Sequence, residues 1–131
     1  MEKKWHIIKN LKVAESGEIS AEATFNPDSP WFDGHFPGFP ILPGIAELGI
    51  VSDSIRKAGE AEGKNIAISQ IRKVRFRQFI RPDDSVRVVS SSDEKHPMRY
   101  KFKLMVNGQL ACNGVMETVE ADDTVCGGQQ C

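Results

Sequence analysis

The chain is short of several things, and each shortage removes a class of protein. Only three cysteines occur among 131 residues. Cys112, Cys126 and Cys131 show no CxxC spacing, which argues against a zinc site or a disulfide framework. No apolar run approaches the ~20 residues that span a bilayer, so no membrane association is expected. Charge of one sign is not in excess: 17 basic and 18 acidic residues leave a net charge of −1. That balance gives no global reason for nucleic-acid binding. The opening residues MEKKWHIIKNLKVAESG lack the apolar core and small-residue cleavage site of a secretory signal. The expected compartment is the cytoplasm.

What is present suits one ordinary domain, with 40% hydrophobic and 27% charged residues. No internal repeat or low-complexity linker divides it. The expected domain runs over 1–121. The tail 122–131, containing DDTVCGGQQC, has no periodicity and is expected to be disordered. Residues 3–14 and 17–26 read as strands around Gly17. In the second, Ile19, Ala21, Ala23 and Phe25 alternate with polar neighbours. Residues 26–44, NPDSPWFDGHFPGFPILPG, hold five prolines and three glycines, which excludes helix and central strand. So long and aromatic a connection is expected to be an ordered functional loop.

After Pro43 the period changes. Ile45, Leu48, Val51, Ile55 and Ala58 recur at steps of three and four, predicting a helix over about 44–58 that stops at Gly59. Strands are predicted at 66–80, 85–93, 98–106 and 109–120, with Asn107-Gly108 as a hairpin turn. One helix must bury its stripe on the only surface available, a curled antiparallel sheet. The predicted class is α+β with the hotdog architecture, dimer-forming, because an open sheet edge usually pairs with a second copy.

The segment Gly34-His35-Phe36-Pro37-Gly38-Phe39-Pro40-Ile41-Leu42-Pro43-Gly44 resembles the active-site signature of the β-hydroxyacyl-acyl-carrier-protein dehydratases of fatty acid synthesis. Ile71 to Arg77 running into Arg81-Pro82-Asp83-Asp84, and Val106-Asn107-Gly108 through Cys112, resemble that family's long strand and last hairpin. The resemblance covers about residues 20–120. It implies a hydro-lyase that eliminates water from a 3-hydroxyacyl thioester to give the 2-enoyl thioester, without metal or cofactor.

That elimination needs a base for the α-proton, a donor to the developing enolate and an acid for the leaving hydroxyl. Histidine suits the base near neutrality, so His35 is the candidate. The resemblance implies that its other ring nitrogen donates to the carbonyl of Ile41. Gly44 opens the helix, where amides lack partners and the dipole is positive, so its N–H is the candidate oxyanion donor. Phe36, Ile41, Pro43 and Gly49 are candidate substrate-contacting residues. A lone loop histidine is usually structural, and Trp31, Phe32 and Phe36 also read as loop packing. His6 and His96 stand outside any constellation and read as surface residues.

The resemblance breaks at one place. The family's acid lies five residues past the glycine matched by Gly44, and here that residue is Gly49. Glu47 lies about 200° around the helix from it and should point away. Asp53, four residues on and nearly on the same face, is the candidate acid, with a solvated ion pair to Arg56 or Lys57 as its ordinary reading. A second expectation follows from the missing acid: a thioesterase, or a non-catalytic acyl-binding partner subunit, of the same fold.

The basic run Arg72, Lys73, Arg75, Arg77 and Arg81 alternates with Val74 and Phe76. It reads either as a solvated face or as a docking surface for an acidic acyl carrier protein, with Arg72, Arg75, Arg77 and Arg81 as contacts. No aromatic stacking face accompanies it, so nucleic acid is not expected. The expected partners are acyl carrier protein or a coenzyme A thioester, and a second copy of the chain in a homodimer or larger assembly.

Overall fold

The computed structural model describes residues 6–25, 42, 44–81 and 84–121. Six strands and one helix follow in the order β1 (Ile7–Val13), β2 (Ile19–Thr24), α1 (Gly44–Ala61), β3 (Ile66–Phe76), β4 (Val86–Ser92), β5 (Arg99–Val106) and β6 (Gln109–Glu120). The strands form one antiparallel sheet in the order β1-β2-β4-β5-β6-β3, curled around α1. This is the expected hotdog architecture. The proposed tail 122–131 lies outside the described residues.

Alternation sets the inner face of the sheet. Ile19, Ala21, Ala23, Val86, Val88, Phe102, Leu104 and Val106 point inward, while Lys101 and Lys103 stay exposed between the inward residues of β5. The Asn107-Gly108 hairpin forms as expected. Both residues take positive φ (53° and 79°), the geometry a two-residue turn needs to match strand twist.

The helix differs from its predicted stripe. Its buried side carries Ala46, Glu47, Ile50, Val51, Ser54, Ile55, Ala58 and Gly59, whereas Ile45 is 71% exposed and Leu48 half-buried. Ile50, Val51 and Ile55 are wholly enclosed, and each contributes about 1.5–3 kcal/mol by leaving water. Gly59 does not end the helix. It lies against β3, where a Cβ would stand 2.5 Å from Ile66 Cγ1. The stop is Gly63, at φ 76°, with Lys64 N–H donating to Gly59 O (2.8 Å) and Gly63 N–H to Glu60 O (3.0 Å). These two bonds form a Schellman cap.

Strand β3 is an edge strand and an irregular one. Opposite β6, its register slips by one residue between Ile68 and Gln70 and again between Arg72 and Arg75. Lys73 takes φ 57° within the second bulge. It ends at Phe76 rather than at residue 80, because Arg77 and Gln78 both turn their N–H groups onto the carbonyl of Ala111.

Candidate active site

The entry to α1 is tied down by Leu42, which is buried and donates its N–H to Ile80 O at 2.7 Å. Two residues later Gly44 begins the helix. A Cβ at Gly44 would lie 2.8 Å from the Phe76 ring, so the absence of a side chain lets the helix start sit against that ring. Phe76 is 54% exposed, and with the exposed Ile45 it leaves the helix start in an apolar, accessible setting. The first-turn amides of such a terminus lack intrahelical partners and carry the positive end of the dipole. His35, Phe36, Ile41 and Pro43 lie outside the described residues.

Gly49 lies further along α1 and lines a groove of about 970 Å³ between the helix and β3, together with Leu48, Ser52, Asp53, Ile68 and Ile71. Among the described residues, a Cβ at Gly49 would meet nothing within 4 Å, so they leave the place of the family's acid open.

Asp53 shares that groove, as its spacing from Gly49 predicts. Its carboxylate is already engaged. Oδ2 is 2.7 Å from His6 Nε2, and Oδ1 accepts from Arg56 at 2.6 Å. The hydrogen bond to His6 holds the Asp53 carboxyl below its ordinary range against the effect of burial, and Arg56 adds to this. The Arg56 pairing was legible from the helical i,i+3 spacing. The His6 pairing was not, since 47 residues separate the two and nothing near His6 marks it.

Glu47 points away from the groove, as the helix geometry requires, but into the core rather than into water. It is 3% exposed, and Oε1 has no hydrogen-bond partner. Burial pushes its carboxyl up to about 8, with the Cys112 thiol opposing through a hydrogen bond. The thiol is itself pushed up to about 12, by burial first and then by Glu47. Glu47 is thus a neutral acid at pH 7, held one turn from Gly44. A stripe read at Ala46, Ile50, Val51, Ser54, Ile55 and Ala58 would have included it.

The four arginines of the expected docking run are not equivalent. Arg72 pairs with Glu117 Oε2 at 2.6 Å, and Arg99 approaches the same oxygen at 3.6 Å. Arg77 Nε donates to Asn113 Oδ1 at 3.0 Å, and Arg81 N–H donates to Asp84 Oδ2 at 2.8 Å. Arg75 lies on the face of the sheet away from α1. Among the described residues no cluster of histidine, cysteine, aspartate or glutamate could hold a metal ion. Nor among them is any helix long and apolar enough to cross a membrane.

Comparison with known proteins places this geometry. The ApeI-like family, described as ApeI dehydratase, matches residues 11–115. The chain belongs to the ApeI-like dehydratases. Among curated relatives it is 33% identical over 112 residues to the 3-hydroxyacyl-[acyl-carrier-protein] dehydratase FabZ of Caldicellulosiruptor saccharolyticus, covering 79% of each chain. It is 35% identical over 82 residues to FabZ of Caulobacter sp. (strain K31), covering 58% of this chain and half of that enzyme. The dehydratase heterocomplex ApeI:P from Xenorhabdus doucetiae superposes with a TM-score of 0.70 at 25% identity, over 86% of this ApeI-like chain and 96% of that one. A hypothetical thioesterase of Streptococcus pneumoniae, solved with coenzyme A, superposes at 0.64 with 8% identity, covering 88% of each chain, a likeness of fold alone.

Proposed function

We propose that this ApeI-like chain is a 3-hydroxyacyl-thioester dehydratase acting in fatty acid or related acyl-chain synthesis in the cytoplasm. It takes its substrate as an acyl-carrier-protein or coenzyme A thioester and works as a homodimer or larger assembly. The observation that carries the reading is Gly44 as first residue of α1, seated on Phe76 directly after the signature loop. An amide there can stabilise the oxyanion as the α-proton leaves. His35 takes that proton, its ring oriented by the carbonyl of Ile41, while Phe36, Ile41, Pro43 and Gly49 contact the acyl chain. As the C–O bond breaks, the leaving hydroxyl collects a proton and departs as water. That proton is assigned to Asp53, which lines the groove beside Gly49 with its Oδ2 2.7 Å from His6 Nε2.

The open space at Gly49 also supports a second reading, an acyl thioesterase or an acyl-binding partner subunit. A dehydratase that occurs as a heterocomplex, as the Xenorhabdus protein does, is consistent with the partner form.

Enoyl formation from 3-hydroxyacyl thioesters of graded length, read by ultraviolet absorbance, tests the proposal. Turnover is expected for the wild type and absent in His35→Ala. Gly49→Glu has room to fold and is expected to raise the rate, since a general acid typically supplies roughly 10²–10⁴-fold. No enoyl product from any chain length would refute the dehydratase, and release of free thiol without enoyl would establish the thioesterase.

A further inference from the structure

On the side of the sheet away from α1, strands β3, β4, β5 and β6 line a second groove of about 940 Å³. Lys73 and Arg75 from β3 and Lys101 and Lys103 from β5 line it, and no carboxylate does. None of these four cations is in an ion pair among the described residues, whereas Arg72 is spent on Glu117. Lys103 also borders a neighbouring groove lined by Glu18 and Glu22. The chain as a whole carries −1, so this face is a local concentration of positive charge on a nearly neutral protein.

The concentration has a backbone cause. Strict alternation would put Arg72 and Arg75 on opposite sides of β3. The bulge at Lys73 inserts one residue, so both pair with outward residues of β6, Arg72 with Val115 and Arg75 with Asn113. From β5, Lys101 and Lys103 point the same way because Phe102 and Leu104 fill the core. Cations so placed repel one another, and an anionic surface would relieve them. A second copy of this face would not, since it would bring eight cations together.

Position adds to charge. Arg75 directly precedes Phe76, whose ring supports Gly44, so the groove and the helix start occupy opposite sides of one end of the edge strand. We propose that this groove receives the carboxylate-rich face of the carrier protein that delivers the acyl chain, with Lys73, Arg75, Lys101 and Lys103 as its contacts. The proposal deepens the dehydratase reading and rests on it. It also narrows the docking surface, leaving Arg72, Arg77 and Arg81 outside.

Binding of an acidic acyl carrier protein, titrated by NMR or calorimetry at 50 and 300 mM salt, tests the surface without reference to turnover. The wild type should bind at low salt and weaken steeply at high salt. Lys73→Glu/Lys101→Glu should weaken binding by roughly tenfold or more at 50 mM. Arg87→Glu, on the same face but beside Glu18 and Glu22, should bind as wild type does. Circular dichroism confirms that each variant is folded. Carrier binding that ignores the double reversal or the salt, or a preference for duplex DNA over the carrier, overturns the docking proposal. Dehydration of an N-acetylcysteamine thioester is measured in parallel. Its absence overturns the catalytic reading instead.

Discussion

Replacing Glu47 by glutamine should change how the stability of this domain depends on pH. The carboxyl is 3% exposed and its Oε1 has no partner, so ionising it inside the fold is unfavourable. Burial raises its pKa from 4.5 to about 8. A carboxyl raised in the folded state contributes stability that is fully present below about 4.5 and lost as pH rises through about 8. At about 1.4 kcal/mol per pH unit, that interval sets a ceiling of about 5 kcal/mol. Repacking and water entry bring the expected loss to roughly 2–4 kcal/mol, a large part of the 5–15 kcal/mol typical of a domain. Glutamine keeps the shape and cannot ionise. Urea unfolding at half-unit steps from pH 5 to 9 should therefore show the wild type falling and Glu47→Gln staying level, with the variant the more stable at pH 9. Parallel curves for the two proteins would refute the buried neutral acid.

Asp53→Asn should cost about 1–2 kcal/mol at pH 7, because it weakens the partly exposed contacts to His6 and Arg56. Asp53 has a depressed pKa, so this stability is present above the ordinary carboxylate range and lost as pH falls through the lowered value. Unfolding curves for the two proteins should converge only as pH falls below the ordinary carboxylate range. Gly59→Ala should lower Tm by several degrees, corresponding to about 1–3 kcal/mol, since the new Cβ would stand 2.5 Å from Ile66 Cγ1. An unchanged Tm would mean that α1 and β3 separate easily.

The order of elements was legible because each carries a local signal: alternation in the second strand and in β5, the change of period after Pro43, and Asn107-Gly108 between two strands. The phase of α1 was less so. Ile45 and Leu48 are apolar but belong to the groove with Gly49, and Glu47 is polar but buried, so counting hydrophobic residues rotates the stripe. Gly59 resembled a stop because glycine both ends helices and permits close packing, and only the nearness of Ile66 separates the two uses. In the candidate site, the loss at Gly49 follows from the family resemblance, and the side on which Asp53 lies follows from helical spacing. His6 reaches Asp53 only through the sheet, a contact without a sequence period.

The bulge at Lys73 works as a phase shifter in β3. Side chains before it and after it count inward and outward from different starting points, and the single inserted residue reconciles the two counts. Straightening the strand with Lys73 kept would turn Arg75 inward and swing Phe76 out from beneath the first turn of α1, whereas deleting Lys73 would remove the bulge and leave both facing as they do. One irregular turn of backbone therefore couples the charge pattern of the outer sheet to the seat of the helix, and a chain that lost the extra residue should keep both.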